Sequence, residues 1–229
     1  MKFYGIEHLS LVDFDSKLTC TIFAKSCNFR CPFCHNRSLA LSEEVSEIPF
    51  EEILSFLKER KKYLDAVCIS GGEPTLHPDL PEIIQTIKAL GYLIKLDTNG
   101  TNPAMLNHLI NNKLVDYIAM DIKNDLEHYH ETADVKFINL LNIQESIRII
   151  QNSNIDYEFR TTLIAEYHTH ERITNIANWI SNPKKYFLQK FRLSENCINQ
   201  NLHEIDIETA KEFKKILLKK FKNVELRGY

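Results

Sequence analysis

No stretch of this 229-residue chain stays apolar for the ~18–20 residues that a membrane span needs. The opening MKFYGIEHLS lacks the continuous apolar run of a secretory signal. Positive charge is not in excess either. Lys and Arg number 28 against 31 Asp and Glu, a formal −3, so nucleic acid is not an expected partner. The basic runs at 58–62 and 214–222 fall on polar faces of predicted helices and read as solvated. Linkers, repeats and low-complexity segments are also lacking. One domain over 1–229 is therefore expected, with a core at about 16–195, an N-terminal extension at 1–15 and a helical tail at 196–229. A cytoplasmic protein keeps its thiols reduced. On that expectation the six cysteines read as metal ligands, catalysts or core residues rather than disulfides.

Short β-rich runs are present, and they alternate with helical segments. The runs are LTCTIFA from Leu18, DAVCIS from Asp65, YLIKLD from Tyr92, VDYIAMDIK from Val115, IDYEFRTTLI from Ile155 and YFLQKF from Tyr186. Between them, Phe50, Ile53, Leu54 and Leu57 keep helical period, as do Leu80, Ile83, Ile84 and Ile87; further stripes run through Ile173–Ile180 and Phe213–Phe221. Pro49, Pro78, Pro81 and Pro103 stand at or near helix starts, where a missing N–H costs little. Six such units predict an α/β fold of parallel strands with outer helices. They are too few for a closed eight-fold barrel, which leaves a partial barrel or a doubly wound sheet. Between Ala24 and Pro49 the connection is about 25 residues, far beyond the usual 2–6.

That loop contains CNFRCPFCHN, with Cys27, Cys31 and Cys34 at C-x3-C-x2-C spacing. What it lacks is a fourth ligand. Plain burial suits scarce cysteines in a polar loop poorly. Structural zinc needs four ligands, and His35, adjacent to Cys34, is badly placed to share one tetrahedral ion with it. Cys31-Pro-Phe-Cys34-His35 fits the C-x-x-C-H haem pattern, but that attachment normally goes with export. An iron–sulfur cluster takes thiolates, normally four per [4Fe–4S]. With three, one iron keeps an open position, as catalytic metal sites do. Cys20 and Cys68 lie in strand runs and read as core, so one cluster is expected.

The later runs deliver polar groups to one rim, the C-terminal ends of the strands, where such folds bind ligands. SGGEP brings Gly71, Gly72 and Glu73; LDTNG brings Asp97, Thr98 and Asn99; MDIK brings Asp121 and Lys123; EFRTT brings Arg160; the last run brings Gln189. Together they suit a small zwitterionic ligand carrying hydroxyls. The pairs His128/His130 and His168/His170 read as solvated loops.

These motifs resemble the radical S-adenosylmethionine superfamily, and more narrowly the anaerobic ribonucleoside-triphosphate reductase activating proteins among the glycyl-radical-enzyme activases. The resemblance covers about residues 6–192. One departure is Asp13-Phe14-Asp15-Ser16, where family members often read Asp-Tyr-Pro-Gly. The resemblance implies a partial (β/α)6 barrel and a [4Fe–4S] cluster on Cys27, Cys31 and Cys34. It implies S-adenosylmethionine chelating the open iron, and a 5′-deoxyadenosyl radical that takes hydrogen from a glycine of a partner enzyme. It further implies that Gly71, Gly72 and Glu73 hold the methionine ammonium, that Lys123 or Arg160 pairs the carboxylate, and that Asp97 or Asp121 accepts from the ribose. Phe33 and His35 would border the adenine, and Asn99 and Gln189 would complete the cofactor site. The implied partners are the reductase and a low-potential donor such as flavodoxin or ferredoxin. Rival readings are activation of another glycyl radical enzyme, a small-molecule radical reaction, and a non-catalytic electron-transfer or oxygen-sensing cluster protein.

Overall fold

Residues 1–40 and 46–229 are described by the structure, a computed structural model. In chain order the elements are β1 (Phe3–Ser10), β2 (Thr19–Ala24), α1 (Arg37–Ala40), α2 (Phe50–Arg60), β3 (Ala66–Gly71), a 3-10 turn (Pro74–Leu76), α3 (Leu80–Ala89) and β4 (Leu93–Thr98). There follow α4 (Pro103–Asn111), β5 (Tyr117–Asp121), α5 (Tyr129–Ala133), α6 (Leu140–Asn152), β6 (Asp156–Leu163), α7 (His170–Trp179), β7 (Tyr186–Lys190), α8 (Ile207–Leu217) and β8 (Val224–Arg227). The six runs read from the sequence are β2 to β7. The prolines act as expected: Pro49 caps α2, Pro81 lies in the first turn of α3, and Pro103 opens α4 behind the Asn102 side-chain cap.

Strand order in space follows strand order in the chain, from β1 to β8. Among the described strands β1 and β2 pair antiparallel; the pairs from β2–β3 to β7–β8 are parallel. A doubly wound sheet reverses its order at a switch point, and this one never does. With right-handed crossovers, the helices then gather on one side and the sheet curls around its other face as an open partial barrel. The outer face carries Ile22, Ile69, Leu96, Ile118, Phe159 and Leu188, fully buried in one core with Leu57, Ile84, Leu106, Ile143, Ile173 and Phe213 of the helices.

The inner face is not apolar. Register sets Cys68 beside Lys95, Lys95 beside Tyr117, Ala119 beside Glu158 and Asp121 beside Arg160. Charges two residues apart on a strand share a face, so Lys95 and Asp97 on β4, and Glu158 and Arg160 on β6, stack in two storeys inside the barrel.

Three regions differ from expectation. The N-terminal extension contains β1, paired along β2, and the following turn folds under the barrel. There Asp13 accepts a hydrogen bond from Thr21 Oγ1 (2.6 Å), and Phe14 packs against Tyr117 with ring centroids 5.2 Å apart. The tail is helical only in part: beyond α8 it adds β8 to the sheet beside β7. The long loop, of which residues 41–45 lie outside the described residues, is braced by protein. Arg30 N donates to the Ala133 carbonyl at the end of α5 (2.9 Å), and Asn199 N in the tail donates to Pro32 (2.8 Å). Cys197, which matched no motif, is buried behind the loop, its Sγ 3.9 Å from the Phe33 carbonyl.

Candidate active site

An open cavity lies at the C-terminal ends of β3 to β6, under the cysteine loop. It is lined by Cys27, Cys31, Phe33 and Cys34 from the loop and by Gly71, Gly72, Glu73, Asp97, Asn99, Asp121, Lys123 and Arg160 from the strand ends. Phe29, Asn36, Ser70 and Thr98 join them. Phe29 and Asn36 were not singled out in the sequence, although both stand within or beside the cysteine spacing. His35 and Gln189 are not among the lining residues. The His35 ring is exposed and packs edge-on against Phe191 at 6.0 Å.

The glycine pair serves the fold before any ligand. β3 ends against the stem of the cysteine loop, where Gly72 N donates to Ala24 O and Glu73 N to Ser26 O, both at 2.8 Å. Gly71 has φ +105°, a left-handed conformation, and a Cβ there would meet Ala24 N at 2.5 Å; one on Gly72 would meet Ser26 O at 2.0 Å. Gly72→Ala is therefore expected to displace Ser26 and its neighbour Cys27. It should cost about 1–3 kcal/mol, as overpacking does, and lower iron uptake. Iron per chain and the thermal midpoint of the purified variant check both effects.

Glu73 is already engaged. Its carboxylate accepts from Thr75 N (3.1 Å), Thr75 Oγ1 (2.5 Å), Thr98 Oγ1 (2.8 Å) and Asn99 N (2.6 Å), stapling the end of β3 to the end of β4. Burial pushes its carboxyl up against those four bonds. Glu73 thus meets four protein donors on a carboxylate that is 1% exposed.

The cavity floor is a charge network. Arg160 bridges two carboxylates, with Nε 2.5 Å from Asp121 Oδ1 and an Nη 3.1 Å from Asp97 Oδ2. Lys123 Nζ lies 2.9 Å from Asp121 Oδ2 and 5.6 Å from the Phe33 ring centre. Burial opposes every charge here, but the neighbours prevail. Arg160 and Lys123 hold Asp121 well below the usual carboxylate range. Arg160 and Lys95 hold Asp97 low, and Asp121 raises Lys123. Arg160, Lys123, Asp121 and Asp97 are all charged at neutral pH.

Burial pushes the thiols of Cys27 and Cys31 up to about 11 and about 12, and raises Cys34. They therefore hold their protons until a metal displaces them, the behaviour of a thiolate ligand set. Among the described residues no three Cys, His, Asp or Glu side chains close on a point suited to a single ion. The three thiols instead flank one cavity, an arrangement that fits an iron–sulfur cluster, whose iron atoms take separate thiolates. Arg30 stiffens the loop, its Nη1 donating to the Cys27 and Phe29 carbonyls at 2.5 and 2.8 Å.

One histidine departs from its reading. His168 is 3% exposed, not solvated. Its Nδ1 accepts from Ile164 N (3.1 Å) and its Nε2 faces the Lys123 carbonyl (3.1 Å), so the neutral ring ties the end of β6 to that of β5. Burial pushes its pKa down to about 4 from 6.5. Above pH 6.5 the ring is neutral in both folded and unfolded chains. As pH falls toward 4, the unfolded chain takes up a proton that the folded one refuses, and stability is lost, about 2 kcal/mol by pH 5. Urea midpoints at pH 7 and pH 5 should diverge more for the parent protein than for His168→Gln. His170, by contrast, is exposed and pairs with Glu212 at 2.7 Å.

Thiols and a fixed charge network at the mouth of a partial barrel define a metallocofactor enzyme. Residues 21–180 match the Radical SAM superfamily. A Methanocaldococcus jannaschii protein, provisionally named a glycyl-radical enzyme activating enzyme, is 33% identical over 97% of this chain and 94% of its own. The pyruvate formate-lyase-activating enzyme of Clostridium pasteurianum is 26% identical over 79% and 76%. Streptococcus suis SuiB, solved with S-adenosylmethionine bound, shares the fold with a TM-score of 0.68 at 14% identity, over 91% of this chain and 52% of that one. The chain belongs to the radical SAM superfamily and, within it, to the glycyl-radical-enzyme activating enzymes. The cofactors of that superfamily are a [4Fe–4S] cluster and S-adenosylmethionine.

Proposed function

We propose that the enzyme holds a [4Fe–4S] cluster on Cys27, Cys31 and Cys34 and activates an anaerobic ribonucleoside-triphosphate reductase by installing a glycyl radical on it. The observation that carries this reading is the single cavity that gathers the three thiols with the charged ends of β4, β5 and β6. Bound there, with Cys27, Cys31 and Cys34 holding the cluster, cluster and S-adenosylmethionine would supply the radical chemistry that takes hydrogen from the partner's glycine. The choice of the reductase rests on the likeness of the motifs around Cys27–Asn36, Ser70–Glu82 and Val115–Lys123.

The residues divide the binding work by charge. Arg160 is taken up by two carboxylates, so Lys123 is the cation that meets the cofactor's carboxylate. The Gly71 and Gly72 carbonyls accept from its ammonium. Asp121, whose side chain is 26% exposed against 13% for Asp97, is the more reachable acceptor for ribose hydroxyls. Phe33 and Asn99 close the sides. Among the described residues no helix is long and apolar enough to cross a membrane. A cytoplasmic setting, with flavodoxin or ferredoxin as electron donor, suits free thiols and a low-potential cluster. One sheet and one continuous core support reading the whole chain as a single domain.

The test is anaerobic. Reduced, iron-loaded enzyme is mixed with S-adenosylmethionine and the reductase, and the sample is examined by EPR. A glycyl radical doublet is expected. Cofactor cleavage with no doublet on the reductase, but a doublet on another glycyl radical enzyme, would reassign the partner. No 5′-deoxyadenosine at all would remove the activity.

A further inference from the structure

Lys95 is a costly residue to keep where it lies. It is 3% exposed, inside the barrel and one storey below the cavity floor. An apolar side chain of similar length would fill that space without the desolvation penalty of an ammonium. Its hydrogen bond goes to the carbonyl of Asp13, in the turn that folds under the barrel. Its Nζ also stands 3.4 Å from Asp97 Oδ1, an ionic contact too long to be a good hydrogen bond, and that buried oxygen has no other partner.

The floor contains two carboxylates and one shared guanidinium. Arg160 alone would leave Asp97 and Asp121 competing for a single positive charge. Asp121 has a cation of its own in Lys123, at 2.9 Å. Asp97 has Lys95. The remaining groups around Asp97 are Ser70 from β3, whose Oγ donates at 3.0 Å, the carboxylate of Asp121 from β5, and Arg160 from β6. Buried Cys68 from β3 also adjoins it.

We propose that Lys95 is a positioning residue for the cofactor site: from beneath the floor its charge holds Asp97 in place, so that Arg160 stays shared between Asp97 and Asp121 and Asp121 keeps its cavity-facing side presented to the ligand. The inference rests on the proposed cofactor site. Lys95 does not line the cavity, and it acts through Asp97.

Two variants separate charge from tether. Lys95→Gln removes the charge and keeps a donor for the Asp13 carbonyl, whereas Lys95→Met removes both. Iron and sulfide per chain should match the parent in both, since Lys95 does not line the cavity with Cys27, Cys31 and Cys34. The concentration of S-adenosylmethionine that half-converts the EPR signal of the reduced cluster should rise tenfold or more in both. Both should lose thermal stability, since each leaves Asp97 with one cation fewer, and Lys95→Met should lose more, because it also gives up the donor to the Asp13 carbonyl. In both variants cofactor affinity should fall between pH 7 and pH 5, as Asp97 begins to protonate, while the parent stays flat. If Lys95→Gln binds the cofactor like the parent with an equally flat profile, Lys95 is merely a tether and the inference is overturned. A parent protein whose signal ignores S-adenosylmethionine would overturn the cofactor assignment itself.

Discussion

Cys31→Ala enzyme, reconstituted anaerobically with iron and sulfide, will yield no 5′-deoxyadenosine above background and will retain fewer than four irons per chain. Cys31 is the middle thiol of the three, buried in the loop, and its neighbours on either side cannot take its place. Cys27 is oriented by its Sγ contact with Phe29 N at 3.4 Å, and Cys34 is turned in by its own N–H bond to the Cys31 carbonyl at 2.9 Å. A cluster already one protein ligand short of four then has only two. The comparison variant is Cys20→Ala, also fully buried but on the outer face of β2 among core side chains. It removes a small side chain at a cost of about 1 kcal/mol and should keep the parent's cleavage rate. A Cys31→Ala protein that cleaves the cofactor as fast as the parent would contradict the ligand assignment.

The second large effect concerns stability. Glu158 is 2% exposed inside the barrel, and its counter-ion comes from β8, in the tail. Arg227 meets it with two nitrogens, at 2.8 and 3.1 Å, while Tyr117 donates at 3.0 Å and the guanidinium lies 3.6 Å from the centre of the Phe187 ring. Removing one member of a buried pair strands the other charge and typically costs ~3–5 kcal/mol. Arg227→Met should lower the unfolding free energy of the apo-protein by about 3 kcal/mol in urea titrations. Arg227→Met combined with Glu158→Gln should recover most of that loss. Equal destabilisation by the single and the double variant would mean that Arg227 contributes packing on Phe187 rather than charge.

The parts of this structure that could be read from the residues were those with local causes. β2 to β7 announce themselves as short apolar runs, and the helices as stripes with prolines at their starts. Three thiols in eight positions name their own chemistry. β1 and β8 were missed because their stability is not local: FYGIEHLS has no clean alternation and VELR is four residues long, and both are strands because a neighbouring strand end was unpaired. The inner charges were half visible. Asp97, Asp121, Lys123 and Arg160 sit in recognisable strand-end motifs, whereas Lys95 looks like an ordinary polar residue in a strand until the register turns it inward. Gly71 and Gly72 stood out for close approach to a ligand, and close approach to the Ala24–Ser26 backbone, which the sequence did not show, leaves the same mark. Glu73 likewise reads as a free charge until Thr75, Thr98 and Asn99 are placed around it. His168 shows the reverse: a histidine in a loop, next to a threonine and a second histidine, carries no signal of burial.

Residues far apart in the chain meet beneath the site, the Asp13 turn on one side and Arg227 on the other. During synthesis at a ribosome, the cysteine loop emerges early and Arg227 late. Until residue 227 clears the exit tunnel, Glu158 has no guanidinium and β7 has a bare edge. Metal delivered to a nascent chain would therefore meet a barrel that still lacks its last strand and the counter-ion of Glu158.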